Sequence, residues 1–207
     1  MADVKHSILS DPYLHEPKGI SSATQDESYI ADGAGAGAWK ELYTFGVEDY
    51  ADAATTSSPI ALTSGAKTKL TNDSLGTNTN VAYRAPGKGA IWDASANQFD
   101  FVAAGLSLGD TVDIRFDLTI NSSAANDAFR LIATPGFGAS PYDLVLDYVE
   151  YKAAGAYEWI VQASIYMGNS NTLDNPMEVY VKADSASDTA VVNGWYVRPM
   201  YRKGLWV

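Results

Sequence analysis

Cysteine is absent from this chain of 207 residues. That excludes a disulfide framework, a thiolate metal centre and a cysteine nucleophile. Histidine is almost absent, with only His6 and His15 present. A serine or cysteine triad would have to recruit one of these two N-terminal residues, and an imidazole-ligated metal would be short of donors. Basic residues are scarce: 14 Lys and Arg stand against 25 Asp and Glu, for a net charge of −11. Residues 1–42 carry Lys5, Lys18 and Lys40 against seven acids, a net of −4, and the remainder carries −7, so neither part of the chain is basic. Phosphate-backbone binding therefore lacks its electrostatic driving force, and no nucleic-acid partner is expected. No apolar run approaches the length of a membrane span, so no membrane partner is expected either. Residues 1–6 lack the apolar stretch of a secretory signal. Amphipathic helical periodicity is missing throughout.

What the chain does contain is strand after strand from Pro59 onward. The clearest runs over 110–121. Val112, Ile114, Phe116, Leu118 and Ile120 fall on one face, with Asp113, Arg115, Asp117 and Thr119 on the other. A helix would scatter these positions; a strand sorts them by its period of two. Asp110 and Thr119 read as the edges of the polar face. Further strands are expected at 60–63, 67–70, 98–102, 129–132, 144–149, 177–182 and 191–198. Another at 157–167 places Trp159, Val161, Ala163, Ile165 and Met167 on one side. Trp159 and Trp195 are assigned to the core. Residues 40–58 read as a transition. Eight or more one-faced strands separated by Gly, Asn and Ser turns predict an all-β antiparallel jelly-roll sandwich over 43–207.

Ahead of it, 1–42 reads as an extended N-terminal arm. Pro12 and Pro17 bias their preceding residues away from helix. Thirty extended residues reach roughly 100 Å at about 3.3 Å each. Residues 28–31 form a short strand candidate. Gly33, Gly35 and Gly37 permit tight turns, and Trp39 is placed to anchor the tract.

His15-Glu16-Pro17-Lys18-Gly19-Ile20 and the tract Tyr29-Ile30-Ala31-Asp32-Gly33-Ala34-Gly35-Ala36-Gly37-Ala38-Trp39 resemble the N-terminal segment of bacteriophage capsid-attached head fibres and decoration proteins. Pro59-Ile60-Ala61-Leu62-Thr63, Lys67-Thr68-Lys69-Leu70-Thr71-Asn72-Asp73 and Val192-Asn193-Gly194-Trp195-Tyr196-Val197 are similar to the head of such fibres, which has the trimeric fold of the tumour necrosis factors. The resemblance implies a homotrimer on the capsid exterior of a phage particle. Its N-termini would dock on the major capsid protein or another virion protein, with the β heads pointing outward. The docking residues it implies are Tyr13, Leu14, His15, Pro17, Lys18 and Ile20.

The remaining motifs point to little chemistry. Residues 33–38 match the glycine spacing of a dinucleotide loop, but the strand, helix and distal acid that such a loop needs do not surround it, and no cofactor is expected. Asp113 and Asp117 share a strand face in the manner of a glycosidase pair, yet Arg115 lies between them, so internal charge pairing is the simpler reading. Asp184 and Asp188 bracket a serine-rich turn, and Asp174-Asn175 sits in another. Calcium at such loops stays an alternative, but EF-hand spacing is missing and the expectation is no metal. The chain has 13 Tyr and 5 Trp. Trp92, Tyr142 and Tyr166 are candidates to stack on a sugar or to fill an interface. The expected function is therefore a structural virion protein rather than an enzyme. The alternative is a carbohydrate-binding module of a tail fibre that adheres to host-surface glycans.

Overall fold

A computed structural model describes residues 28–31, 37–40, 43–185 and 187–202. They fall into two compact units that divide after Thr44. In the first, β1 (Ser28–Ala31) and β2 (Gly37–Lys40) pair as an antiparallel hairpin. Tyr29 lies opposite Trp39, and the two rings meet edge to face with centroids 5.5 Å apart. The contact is an aromatic cross-strand pair. The docking residues Tyr13 to Ile20, and both histidines, lie outside the described residues.

The second unit, Phe45–Arg202, is a β-sandwich. Strand β3 (Tyr43–Phe45) sits at the division, and β4 (Glu48–Ala51) follows. Helix α1 (Ala54–Ser57) leads to β5 (Ile60–Ala61) and β6 (Lys67–Lys69). A small hairpin of β7 (Trp92–Asp93) and β8 (Gln98–Phe99) interrupts the long connection to β9 (Thr111–Ser122). Then come β10 (Asp127–Thr134), β11 (Leu144–Tyr151) and β12 (Gly155–Tyr166). Helix α2 (Ser170–Asp174), capped by the Asn169 side chain, precedes β13 (Glu178–Ala183) and β14 (Thr189–Arg202).

The smaller sheet has the order β11-β10-β13-β6, and the larger runs β12-β9-β14 with β4 and β5 along the far side of β14. After the β10–β11 hairpin, each successive strand switches sheets and lands beside a strand laid down earlier: β12 on β9, β13 on β10, β14 on β9. Counting β4 and β5 as one position gives eight strands in the order of a jelly roll, as the alternating pattern predicts.

Strand β9 shows why the sequence folds this way. Its residues alternate between half-buried and buried over all 12 positions. Phe116, Leu118 and Ile120 are fully buried, as are Val112 and Ile114 within a per cent. Each such side chain contributes about 1.5–3 kcal/mol by leaving water, so the strand cannot slip by one residue without exposing the set. The core closes around an aromatic cluster. The Trp195 ring centroid lies 5.3 Å from that of Phe116 and 5.7 Å from that of Trp92, and Trp92 packs on Phe99 at 4.8 Å. Trp159 is buried as well, so both tryptophans assigned to the core lie there.

Three expectations are corrected. Residues 40–58 are not merely a transition, because β4 pairs with β14 through Trp195 and Tyr50. A charged residue at an inward position hid this strand. Glu48 is fully buried, and its Oε2 receives hydrogen bonds from Arg84 Nε at 2.8 Å and from the Tyr50 hydroxyl, which offset part of the cost of its burial. Residues 98–102 form a strand only at Gln98–Phe99; the chain then turns, and Phe99 and Phe101 both enter the core. Asp110 is not on the polar face. It is buried at 3% exposure and accepts hydrogen bonds from the backbone N–H groups of Ser107 and Arg202.

One irregularity decides what the outer face carries. The β9–β14 register shifts between Val192 and Gly194, a bulge that inserts Asn193. Before it, Ala190 and Val192 point into the core; after it, Trp195 and Val197 do. The extra residue flips the parity of the strand and so turns Tyr196 and Arg198 outward. Gly194 makes the bulge possible: a Cβ there would stand 2.8 Å from the Tyr50 carbonyl oxygen.

Candidate functional site

The outer face of the larger sheet carries two adjoining hollows. One, of about 410 Å³, is lined by Asp113, Arg115, Gln162, Ser164, Tyr196 and Arg198 among others. The second, of about 270 Å³, is lined by Asp49, Asn78, Asp117 and Asn193, again with Arg115 and Tyr196. The Arg115–Tyr196 pair therefore stands between them.

Register builds this surface. Gln162, Arg115, Tyr196 and Asp49 occupy directly opposed positions across β12, β9, β14 and β4. Ser164, Asp113 and Arg198 make a parallel row two residues along. The side chains of each row lie within reach of one another. Asp113 accepts from the Ser164 hydroxyl at 2.6 Å and from Arg198 Nη2 at 2.8 Å, its two cross-strand neighbours. Arg115 donates from Nε and Nη2 to Asp117, at 2.9 and 2.8 Å, and its guanidinium lies over the Tyr196 ring at 5.5 Å.

The ionisation states follow from these contacts. The Ser164 hydroxyl and then Arg198, acting against burial, hold Asp113 below the ordinary carboxylate value. Burial pushes Asp49 up, which the Arg115 charge opposes and the Asp117 charge reinforces. Asp113 is thus an ion-paired acceptor and lacks the raised pKa that a general acid requires. The internal charge pairing expected on this face is present, with one difference. Arg115 hydrogen-bonds Asp117 rather than Asp113, and Asp113 takes its arginine from β14. The result is a rigid polar floor with one aromatic face, suited to hydrogen-bonding a polyhydroxylated ligand.

The sugar-stacking candidates fare differently. Trp92 is corrected: it is 4% exposed, it donates from Nε1 to the Asn72 carbonyl at 3.0 Å, and its ring is enclosed by Phe99 and Trp195. Neither of its faces is open to a sugar or a partner. Tyr142 is 39% exposed, with its hydroxyl bonded to Thr172 Oγ1 at 2.8 Å. Tyr166 is 61% exposed at the end of β12. Neither tyrosine is part of the two hollows. Sequence reasoning did not select Gln162, Ser164, Asn193 or Arg198. Their convergence depends on strand register and on the bulge, for which the only sequence signal is the change of apolar parity between Val192 and Trp195 around Asn193-Gly194.

No protein-family model and no curated protein sequence matches the chain. Among solved structures, the infectious bursal disease virus Gx strain aligns over 86% of this chain at 8% identity, with a TM-score of 0.40. This chain spans 37% of that viral chain. The PRD1 vertex protein aligns over 80% of this chain and all of its own, at 16% identity and a TM-score of 0.32. The N-terminal modules of Clostridium thermocellum endo-1,4-beta-D-xylanase 10B, complexed with xylohexaose, align over 49% of this chain and 18% of their own at 15% identity, with a TM-score of 0.29.

Proposed function

We propose that the protein is a structural virion component: a homotrimeric capsid decoration or head fibre. Residues 1–42 anchor it to the major capsid protein or another virion protein, and the jelly-roll head faces outward. The observation that carries this reading is the layout of the chain. A proline-punctuated, Gly/Ala-rich segment precedes a unit, Phe45–Arg202, that holds an eight-strand jelly roll with a core of its own. Tyr13, Leu14, His15, Pro17, Lys18 and Ile20 provide the apolar and charged contacts by which an extended segment adds to an exposed edge. Three arms on one trimer multiply weak contacts through avidity.

Co-sedimentation with undecorated capsids tests this. Full-length protein is expected to pellet with the particles, while a version beginning at Lys40 stays in the supernatant. Pelleting of both forms would move the anchor into the head, and pelleting of neither would remove the capsid as partner.

The two hollows on the larger sheet favour a second, compatible reading, in which the head also holds host-surface glycans. Carboxylates, amides and guanidinium groups fixed around one tyrosine face are the means by which protein surfaces hold sugars. Retention of host-surface polysaccharide by the native head, and its loss in Tyr196→Ala, is the expected result. Equal retention by both would place any glycan elsewhere.

A further inference from the structure

Away from these hollows, two carboxylates meet inside the sandwich. Asp127 opens β10 and Asp188 immediately precedes β14; they are 1% and 0% exposed. Each follows a residue in the left-handed conformation, Asn126 with φ 57° and Ser187 with φ 72°, which turns the chain so that both aspartates point inward. Asp188 Oδ1 accepts from the backbone N–H and the hydroxyl of Ser123, at 2.8 and 2.7 Å. Among the described residues, its other oxygen, Oδ2, is buried without a hydrogen-bond partner, and so is Oδ1 of Asp127. Asp188 and Ser185 both act electrostatically on the Asp127 carboxyl. The nearest arginine in sequence, Arg130, is committed to Asp184 at 3.0 Å.

Two buried carboxylates with unsatisfied oxygens need either a cation or a shared proton between them. The surroundings indicate which cation they suit. The Ser122 hydroxyl lies 2.9 Å from the Ala124 carbonyl and 3.4 Å from Asp127 Oδ2, and both oxygens accept from it. The donors gathered here, two carboxylates, serine hydroxyls and a peptide carbonyl, are all hard oxygens, and neither nitrogen nor sulfur is among them.

We propose that Asp127 and Asp188 form the centre of a divalent-cation site, with calcium as the fitting ion. The site ties the β9–β10 turn to the approach to β14, with Ser122 and Ser185 beside it. Its role is structural, because it clamps one end of the jelly roll shut. It is independent of the proposed attachment and glycan functions.

The test is titration of chelator-treated full-length protein with CaCl₂, read by calorimetry and by thermal melting, with MgCl₂ in parallel. One calcium per chain is expected. The Tm should rise by roughly 5–10 °C at about a hundredfold excess over Kd, and EGTA should reverse the rise. Magnesium, which requires a tighter octahedron, should bind more weakly. Asp127→Asn and Asp188→Asn should each abolish the calcium-dependent shift. The proposal is overturned if the native protein gives neither heat nor a Tm change up to about 10 mM calcium, beyond the weakest extracellular modules. In that case the pair shares a proton instead. It is equally overturned if calcium binds and both variants bind it unchanged. Should a variant fail to fold, the native titration still decides between a bound calcium and a shared proton.

Discussion

The Arg115 guanidinium lies 5.5 Å above the centre of the Tyr196 ring, and the two residues are direct cross-strand partners on β9 and β14. The cation holds the ring in place, and Asp117 holds the cation. The ring is thereby fixed before any ligand arrives, which lowers the entropic cost of binding. Tyr196→Ala should lower affinity for a bound oligosaccharide at least tenfold. It should reduce stability by only about 1 kcal/mol, or roughly 2–4 °C in Tm, since the residue is half-buried. Calorimetric titration alongside a melting curve separates the two effects. Unchanged affinity would remove the Arg115–Tyr196 pair from the binding surface.

Gly194 sits in the bulge that turns Tyr196 outward. Gly194→Ala would drive a Cβ to 2.8 Å from the Tyr50 carbonyl and 3.2 Å from the Ala51 Cα, both on β4. Backbone atoms cannot retreat as a side chain can, so β4 must shift from β14. The expected loss is about 1–3 kcal/mol, comparable to overpacking a core. Urea denaturation measures it, and hydrogen exchange should show faster exchange at the β4 amides paired to β14. A variant as stable as the native protein would mean that the bulge tolerates a side chain.

The parts of this fold that were legible in the sequence are those where one face is apolar and the other is not. Strand β9 is the clear case, and β12 follows it, because side-chain alternation and burial coincide there. Strand β4 was hidden since Glu48 occupies an inward position and is neutralised by Arg84, some 36 residues away. Trp92 was misplaced because a tryptophan between Asp93 and a glycine-rich stretch looks like a loop residue, whereas its indole reaches a buried carbonyl. The polar face was legible only along one strand. Asp113, Arg115 and Asp117 could be grouped by parity, but Ser164, Gln162 and Arg198 join them through long-range register, which no local pattern encodes. The bulge compounds this, for an uninterrupted strand would place Tyr196 and Arg198 on the same side as Val192.

Phe116 connects the two sides of β9. Its ring packs on Trp195 and Phe99 at the centre of the core, while its neighbours Arg115 and Asp117 form the floor of the hollows. Phe116→Ala should cost about 3–5 kcal/mol, since a rigid aromatic cluster collapses poorly around a cavity. Phe116→Leu should recover most of that loss. Equilibrium unfolding of the pair of variants checks it, and a loss below about 1 kcal/mol for alanine would mean that the cluster repacks.

Acid stability should depend on Glu178, which is almost wholly buried at the start of β13. Burial pushes its carboxyl up, but Lys69 at 2.5 Å, the Tyr180 hydroxyl and Gln98 Nε2 at 2.8 Å outweigh burial and hold it below the ordinary glutamate value of 4.5. A carboxyl depressed in the folded state binds its proton more readily once the chain unfolds. Its stabilisation is therefore complete above the unfolded value and is lost as pH falls through the lower folded value. Lys69→Met removes the nearest charge and leaves Glu178 buried without it. The variant should be less stable than the native protein at neutral pH, and the difference should narrow as acidification protonates the carboxyl in both. Urea midpoints from pH 7 to pH 3 measure this. A native–variant difference that stays constant across that range would mean that Lys69 acts on Glu178 through packing rather than charge.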